Sequence, residues 1–178
     1  GCIVTESADL DLAVRAILFS AVGTAGQRCT TLRRLIVHES RAEELVSRLT
    51  RAYGNVKAGL PWEEGTLLGP LISEEAVKQF TTAIATIKQQ GGEILCGGSR
   101  IDRKGCYVQP TIVRANSKME IVKQETFAPI LYVLTYRELD EAIDNGDIWI
   151  AYQPQFELKN DRISGAEALV RWQHPQRG

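Results

Sequence analysis

The chain has 178 residues, 44% of them hydrophobic and 24% charged, and a formal net charge of −1. That length can bury a sizeable core, and the near-neutral balance gives no electrostatic case for nucleic acid or an anionic membrane surface as a partner. No apolar run approaches the roughly 20 residues of a membrane-spanning helix, and the opening GCIVTESADL lacks the layout of a signal peptide, so a cytoplasmic setting is expected.

Ile3-Val4 reads as the tail of a strand. Ser7 stands where a helix cap would, and Leu12, Ile17, Leu18 and Val22 follow helical spacing as far as Gly23. Leu32 to His38 is a short buried strand, and Arg41 to Tyr53 is an amphipathic helix with Leu45, Val46 and Leu49 on its apolar side. A Gly- and Pro-rich loop, Lys57 to Pro70, leads to a helix from Ser73 to about Gln90. Glu93 to Cys96 and Tyr107 to Val113 are strands, the second irregular or at an edge because it contains Pro110. Ile130 to Tyr136 is a buried strand and Glu138 to Asn145 a short helix. The tail reads as a strand from Ile148 broken at Gln153-Pro154, a turn at Lys159 to Arg162, and a strand from Ile163 to Trp172. Helices alternating with strands predict the α/β class, with a hairpin added at the end.

The four cysteines, Cys2, Cys29, Cys96 and Cys106, form no CxxC pair, and only His38 and His174 could supply imidazole. Neither a zinc site nor a disulfide framework is expected, and Cys2, Cys96 and Cys106 read as ordinary, mostly buried thiols. Cys29 differs. It follows a Gly-Gln-Arg turn in the string GTAGQRCTT, Gly23 to Thr31, between an apolar helix and an apolar strand. By residue type alone a lone cysteine is more often structural than catalytic, although a thiolate is a strong nucleophile, glycines let backbone come close to a substrate and the Cys29 N–H could help hold an oxyanion.

This segment resembles the nucleophile segment of the aldehyde dehydrogenases, most of all the antiquitin branch of α-aminoadipic semialdehyde or piperideine-carboxylate dehydrogenases. Glu125-Thr126-Phe127-Ala128-Pro129 resembles that family's E-x-F-G-P motif, with the alanine that antiquitin-like members carry. Asn55 to Gly69, the pairs Gly91-Gly92 and Gly97-Gly98, and Tyr107 to Thr111 resemble further family segments, so the likeness runs from Ile3 to about Ile143. It implies part of a catalytic domain, a Rossmann-like open sheet with flanking helices, acting on a small-molecule aldehyde with NAD or NADP. It implies Cys29 as nucleophile, Glu125 holding hydroxyls of the nicotinamide ribose, and Phe127 beside the nicotinamide. Without the likeness, Glu125 reads as a solvated carboxylate and Phe127 as a core side chain. The family's general-base glutamate, its oxyanion-hole asparagine and its dinucleotide-binding domain have no counterpart in these residues, so no steady turnover is expected, although esterase-like acylation of Cys29 is conceivable.

From Asn145 the texture changes. Tyr152-Gln153-Pro154 and Gly165-Ala166-Glu167-Ala168-Leu169-Val170-Arg171-Trp172 resemble the opening of an EAL domain, the cyclic-di-GMP phosphodiesterase family. The likeness implies a hairpin from the start of a TIM barrel, with Glu167 a ligand of Mg2+ or Mn2+ and Arg171 near the substrate phosphate, provided a complete barrel is present. The expected division is residues 1–143 as dehydrogenase and 144–178 as EAL fragment. The alternatives are a phosphodiesterase fragment and a non-catalytic fusion that self-associates through exposed strand edges, one of which the hairpin could cover.

Overall fold

Runs of aliphatic residues too short to be helices fall into one open sheet. Its strands are β1 (Cys2–Val4), β2 (Arg34–His38), β3 (Glu93–Cys96), β4 (Thr111–Arg114) and β5 (Ile130–Tyr136), in the order β1-β2-β5-β4-β3. All neighbours are parallel except β3, which runs antiparallel to β4. A computed structural model describes residues 1–138, 149–157 and 162–171, in two units, Gly1–Tyr136 and Arg137–Gly178. Among the described residues no helix is long and apolar enough to cross a membrane.

Strand β5 lies in the middle of the sheet, and its first four residues, Ile130 to Val133, are all buried. A parallel strand covered on both faces is apolar throughout instead of alternating, which is why ILYVLTY reads as a core strand. The helices are α1 (Leu10–Val22), α2 (Glu39–Gly54), α3 (Glu74–Gln89) and the single turn α4 (Glu120–Lys123). Helix α2 buries Leu45, Val46 and Leu49, and α3 buries Val77, Phe80, Ile84 and Ile87, each set at helical spacing toward the core. The Ser73 hydroxyl caps α3 by accepting the Ala76 N–H at 3.2 Å.

Several expectations need correction. Helix α1 starts at Leu10 and is capped by Asp9, not Ser7: the Asp9 carboxylate accepts the N–H groups of Asp11 and Leu12. Leu12 faces solvent at 66% exposure, and the buried stripe is Leu10, Ile17, Ala21 and Val22. Strand β4 begins only after Pro110 and is internal, so the stretch from Tyr107 to Pro110 is irregular as expected, while the proline marks no edge. The short helix α4 was not legible, being one turn long.

The second unit contains a hairpin of β6 (Trp149–Glu157) and β7 (Arg162–Arg171). Strand β6 runs through Pro154, which pairs with Ala166, where a break was expected. In a two-stranded ladder each strand has an unpaired side, and a proline fits when its missing N–H falls there. The predicted helix over Glu138 to Asn145 and the turn from Lys159 to Arg162 fall largely outside the described residues.

Leu131 is fully buried in the central strand. Leu131→Ala is expected to lower unfolding stability by about 2–5 kcal/mol. Leu12→Ala should change it by less than about 0.5 kcal/mol. Urea titration followed by circular dichroism tests both; equal losses would mean α1 packs the other way round.

Candidate active site

Because β2 and β5 are parallel neighbours, the segments that enter them emerge at the same end of the sheet. The segment before β2 carries Cys29, and the segment before β5 carries Glu125 and Phe127. The Tyr132 N–H donates to the Arg33 carbonyl at 2.8 Å, which extends the β2–β5 pairing by one residue toward the site.

The cysteine segment starts from an unusual turn. After α1, Thr24 (φ 56°, ψ 31°), Ala25 (φ 53°, ψ 35°) and Gly26 (φ 71°) are consecutive left-handed residues. That conformation costs roughly 1–2 kcal/mol for each residue with a Cβ, so neighbouring contacts must enforce it. Gly26 cannot carry a side chain: a Cβ would lie 2.3 Å from the backbone carbonyl carbon and oxygen of Ala128. The turn that carries Cys29 therefore packs directly on the backbone of the Glu125–Pro129 segment.

Downstream, each residue before the strand is tied to something. The Gln27 side-chain amide donates to the carbonyls of Thr24 and Pro70, each at 3.3 Å, and accepts the Ile72 N–H at 2.8 Å. The Arg28 N–H donates to Thr31 Oγ1 at 3.1 Å, and the Arg28 guanidinium sits 5.4 Å from the centre of the Phe19 ring. The N–H groups of Thr31 and Leu32 donate to the carbonyls of Arg28 and Ser20. Cys29 itself is exposed on this held turn. Among the described residues, nothing hydrogen-bonds to its N–H or its Sγ. Its thiol is open to a reagent, and its N–H is free to donate to an oxygen that gains charge.

On the second segment, the Glu125 side chain is 60% exposed and Phe127 is 41% exposed, while Ala128 is buried against the turn. An aromatic ring so open to solvent is not the core phenylalanine that bare residue preference would predict. An exposed carboxylate and an exposed ring close in sequence suit a ribose with two vicinal hydroxyls and a flat heterocycle.

One side chain that the sequence did not single out connects both segments. Arg33, at the foot of β2, is only 7% exposed. Its Nε donates to the Thr126 carbonyl at 3.3 Å, Nη1 to the Thr31 carbonyl at 3.2 Å, and Nη2 to the carbonyls of Gly26 at 3.4 Å and Arg28 at 3.3 Å. Nη2 also lies 3.5 Å from a Glu125 carboxylate oxygen, and the guanidinium stacks 4.9 Å from the Phe127 ring centre. Burial pulls its pKa below the ordinary arginine value, and Glu125 and then Cys29 pull it back. Arginine remains cationic under that balance. The available signal was a charged residue placed directly before a buried apolar strand.

The other cysteines are half-buried, less enclosed than expected. Burial pushes all three thiols up, and the Glu74 carboxylate, 3.5 Å from the Cys106 thiol, adds to this at Cys106. In the second unit, Glu167 and Arg171 lie on β7 opposite Gln153 and Trp149, and their side chains are outside the described structure. Among the described residues no group of three His, Cys, Asp or Glu side chains could hold a metal ion.

Comparison with known proteins gives two family matches: the aldehyde dehydrogenase family over residues 1–146 and the EAL domain over residues 136–178. A putative aldehyde dehydrogenase family 7 member A1 homolog from Dictyostelium discoideum is 50% identical over 174 residues, which is 97% of this chain and 33% of that protein. The bovine (Bos taurus) alpha-aminoadipic semialdehyde dehydrogenase is 50% identical over 140 residues, 78% of this chain and 26% of that protein. The crystal structure of betaine aldehyde dehydrogenase from Staphylococcus aureus in complex with NAD+ superposes with a TM-score of 0.77 at 30% identity, covering 80% of this chain and 29% of that one. The chain thus spans between a quarter and a third of the length of the curated relatives it matches.

The contact between Gly26 and Ala128 gives a direct test. Gly26→Ala is expected to destabilise by about 2–4 kcal/mol, through the left-handed backbone and the forced separation of the two segments. Gly54→Ala, at the end of α2 with nothing within 4 Å of the added methyl, should be neutral or slightly stabilising. Thermal unfolding of the pair would contradict this geometry if both behaved alike.

Proposed function

This chain belongs to the aldehyde dehydrogenase family, and from that premise we propose that residues 1–143 carry the nucleophile and part of the nicotinamide side of an NAD- or NADP-dependent semialdehyde dehydrogenase. The observation that carries the reading is the placement of Cys29. It is an exposed thiol on a fixed turn, at the same end of the sheet as exposed Glu125 and Phe127. Identity with alpha-aminoadipic semialdehyde dehydrogenases supports a semialdehyde as the substrate class.

In this reading Cys29 Sγ forms the bond to the carbonyl carbon while the carbonyl oxygen takes up negative charge. The Cys29 N–H, which no described group uses, donates to that oxygen. Glu125 accepts the two hydroxyls of the nicotinamide ribose and Phe127 walls one side of the ring. The cofactor, when bound, supplies the hydride acceptor. None of these three residues serves as the base for hydrolysis of the acyl-cysteine, so they account for acylation and not for steady turnover.

A second reading concerns the tail, and the match over residues 136–178 supports it. The β6–β7 hairpin derives from the start of an EAL domain, with Glu167 the metal carboxylate and Arg171 the phosphate contact of a complete barrel. The two family matches overlap over residues 136–146, which supports a junction there, while the 174-residue alignment with the Dictyostelium protein continues past it.

p-Nitrophenyl acetate should release at most one equivalent of p-nitrophenol per chain and leave an acetyl group on Cys29, located by mass spectrometry. Cys29→Ala should abolish both, and the chain should sustain no steady NADH formation from a semialdehyde. A burst that persists in Cys29→Ala would remove Cys29 as the nucleophile. Incubation with cyclic-di-GMP and Mg2+ should give no hydrolysis; turnover would move the activity to the tail.

A further inference from the structure

Something must hold the nucleophile turn. Thr24 and Ala25 adopt left-handed backbone that neither residue favours. The carbonyls of Gly26, Arg28 and Thr31 have turned away from any helix or ladder and converge on one buried side chain. The Thr126 carbonyl, from the segment before β5, converges on the same group. Among the described residues no other side chain hydrogen-bonds to both segments.

That side chain is a guanidinium, which suits the arrangement. Its N–H donors project in one plane at fixed angles, so Nε serves one segment while Nη1 and Nη2 serve the other. Its face stays free to stack on Phe127, and its edge lies beside Glu125. A lysine ammonium carries the same charge but presents a single compact point with three donors. It cannot reach four carbonyls on two strands of backbone and stack on a ring as well.

We propose that Arg33 is a positioning residue for the reaction: it fixes the Cys29 turn and the Glu125–Phe127 segment in one register, so that nucleophile and nicotinamide wall are set by the same group. This inference rests on the reading of Cys29 as nucleophile and of Glu125 and Phe127 as the cofactor side. An ordinary core arginine would support the whole fold evenly. A positioning arginine acts on these two segments and leaves the helices alone.

Amide hydrogen exchange on the 178-residue chain separates the two roles, because it reads local opening residue by residue. In Arg33→Lys the amides of Gln27, Thr31, Leu32, Ala128 and Ile130 should exchange at least tenfold faster, while amides within α2 and α3 change less than twofold. The alkylation rate of Cys29 by iodoacetamide, resolved by peptide mass spectrometry, should shift at least threefold, with Cys106 in the same sample unchanged. In Arg33→Ala, millimolar methylguanidinium should restore the wild-type Cys29 rate and methylammonium should not. Turn amides that exchange as in the wild type overturn the proposal. So does a rise spread evenly over every element, outright unfolding of both variants included, since that makes Arg33 a general core residue. If Cys29 fails to acylate while the turn responds as stated, the functional reading falls and the clamp stands.

Discussion

A buried cation must be met by acceptors, and the way Arg33 is met shapes this end of the molecule. Leaving such a charge unpaired costs several kcal/mol, so the backbone around it is drawn into an arrangement that supplies carbonyl oxygens. Four carbonyls answer, three from the turn that carries Cys29 and one from the segment that carries Glu125 and Phe127. The same requirement accounts for why a turn with two strained non-glycine residues persists. Reversing the turn would withdraw the carbonyls of Gly26, Arg28 and Thr31 from the guanidinium.

The sheet makes the convergence possible. Arg33 and Thr126 are 93 residues apart in sequence, and only the insertion of β5 between β2 and β4 brings their segments side by side. The site lies where chain enters β2 and β5, at the amino ends of these strands. In open α/β sheets the common rule places ligands beyond the carboxyl ends, so the fold class alone points to the opposite edge from this candidate site. The location follows from side chains and turn geometry, and the sheet only provides the adjacency.

What was legible in the sequence follows from how local each feature is. Helices α2 and α3 could be read because their apolar residues repeat at helical spacing over four turns, with Ser73 as a cap. Cys29, Glu125 and Phe127 could be singled out as candidates because each lies in a short string whose glycines, prolines and neighbours are themselves constrained. Leu12 misled because a leucine in register with a helix suggests burial, while the tilt of α1 on the sheet is set by partners distant in sequence. Pro110 as the mark of an edge and Pro154 as a break misled for the converse reason: a proline's effect depends on whether its missing N–H points into a ladder, and pairing decides that. Arg33 left almost no trace, since all of its partners except Glu125 and the Phe127 ring are backbone carbonyls, which no residue type advertises.

The contrast between the held turn and the open thiol also bears on chemistry. A nucleophile must reach a substrate, so its side chain cannot be packed, yet its position must not wander by even an ångström if addition is to be efficient. Packing the sulfur itself would meet the second demand and defeat the first. Here the constraint is moved onto the backbone. Gln27, Arg28 and Thr31 on either side of Cys29 are tied by hydrogen bonds, Gly26 is pressed against Ala128, and among the described residues nothing hydrogen-bonds to the sulfur. Phe127 follows the same logic, its ring open to solvent while Ala128 next to it is buried and the ring's inner side meets a guanidinium. Exposure of reactive groups on a backbone held by hydrogen bonds and close packing is the arrangement that the proposed nucleophile and nicotinamide wall require.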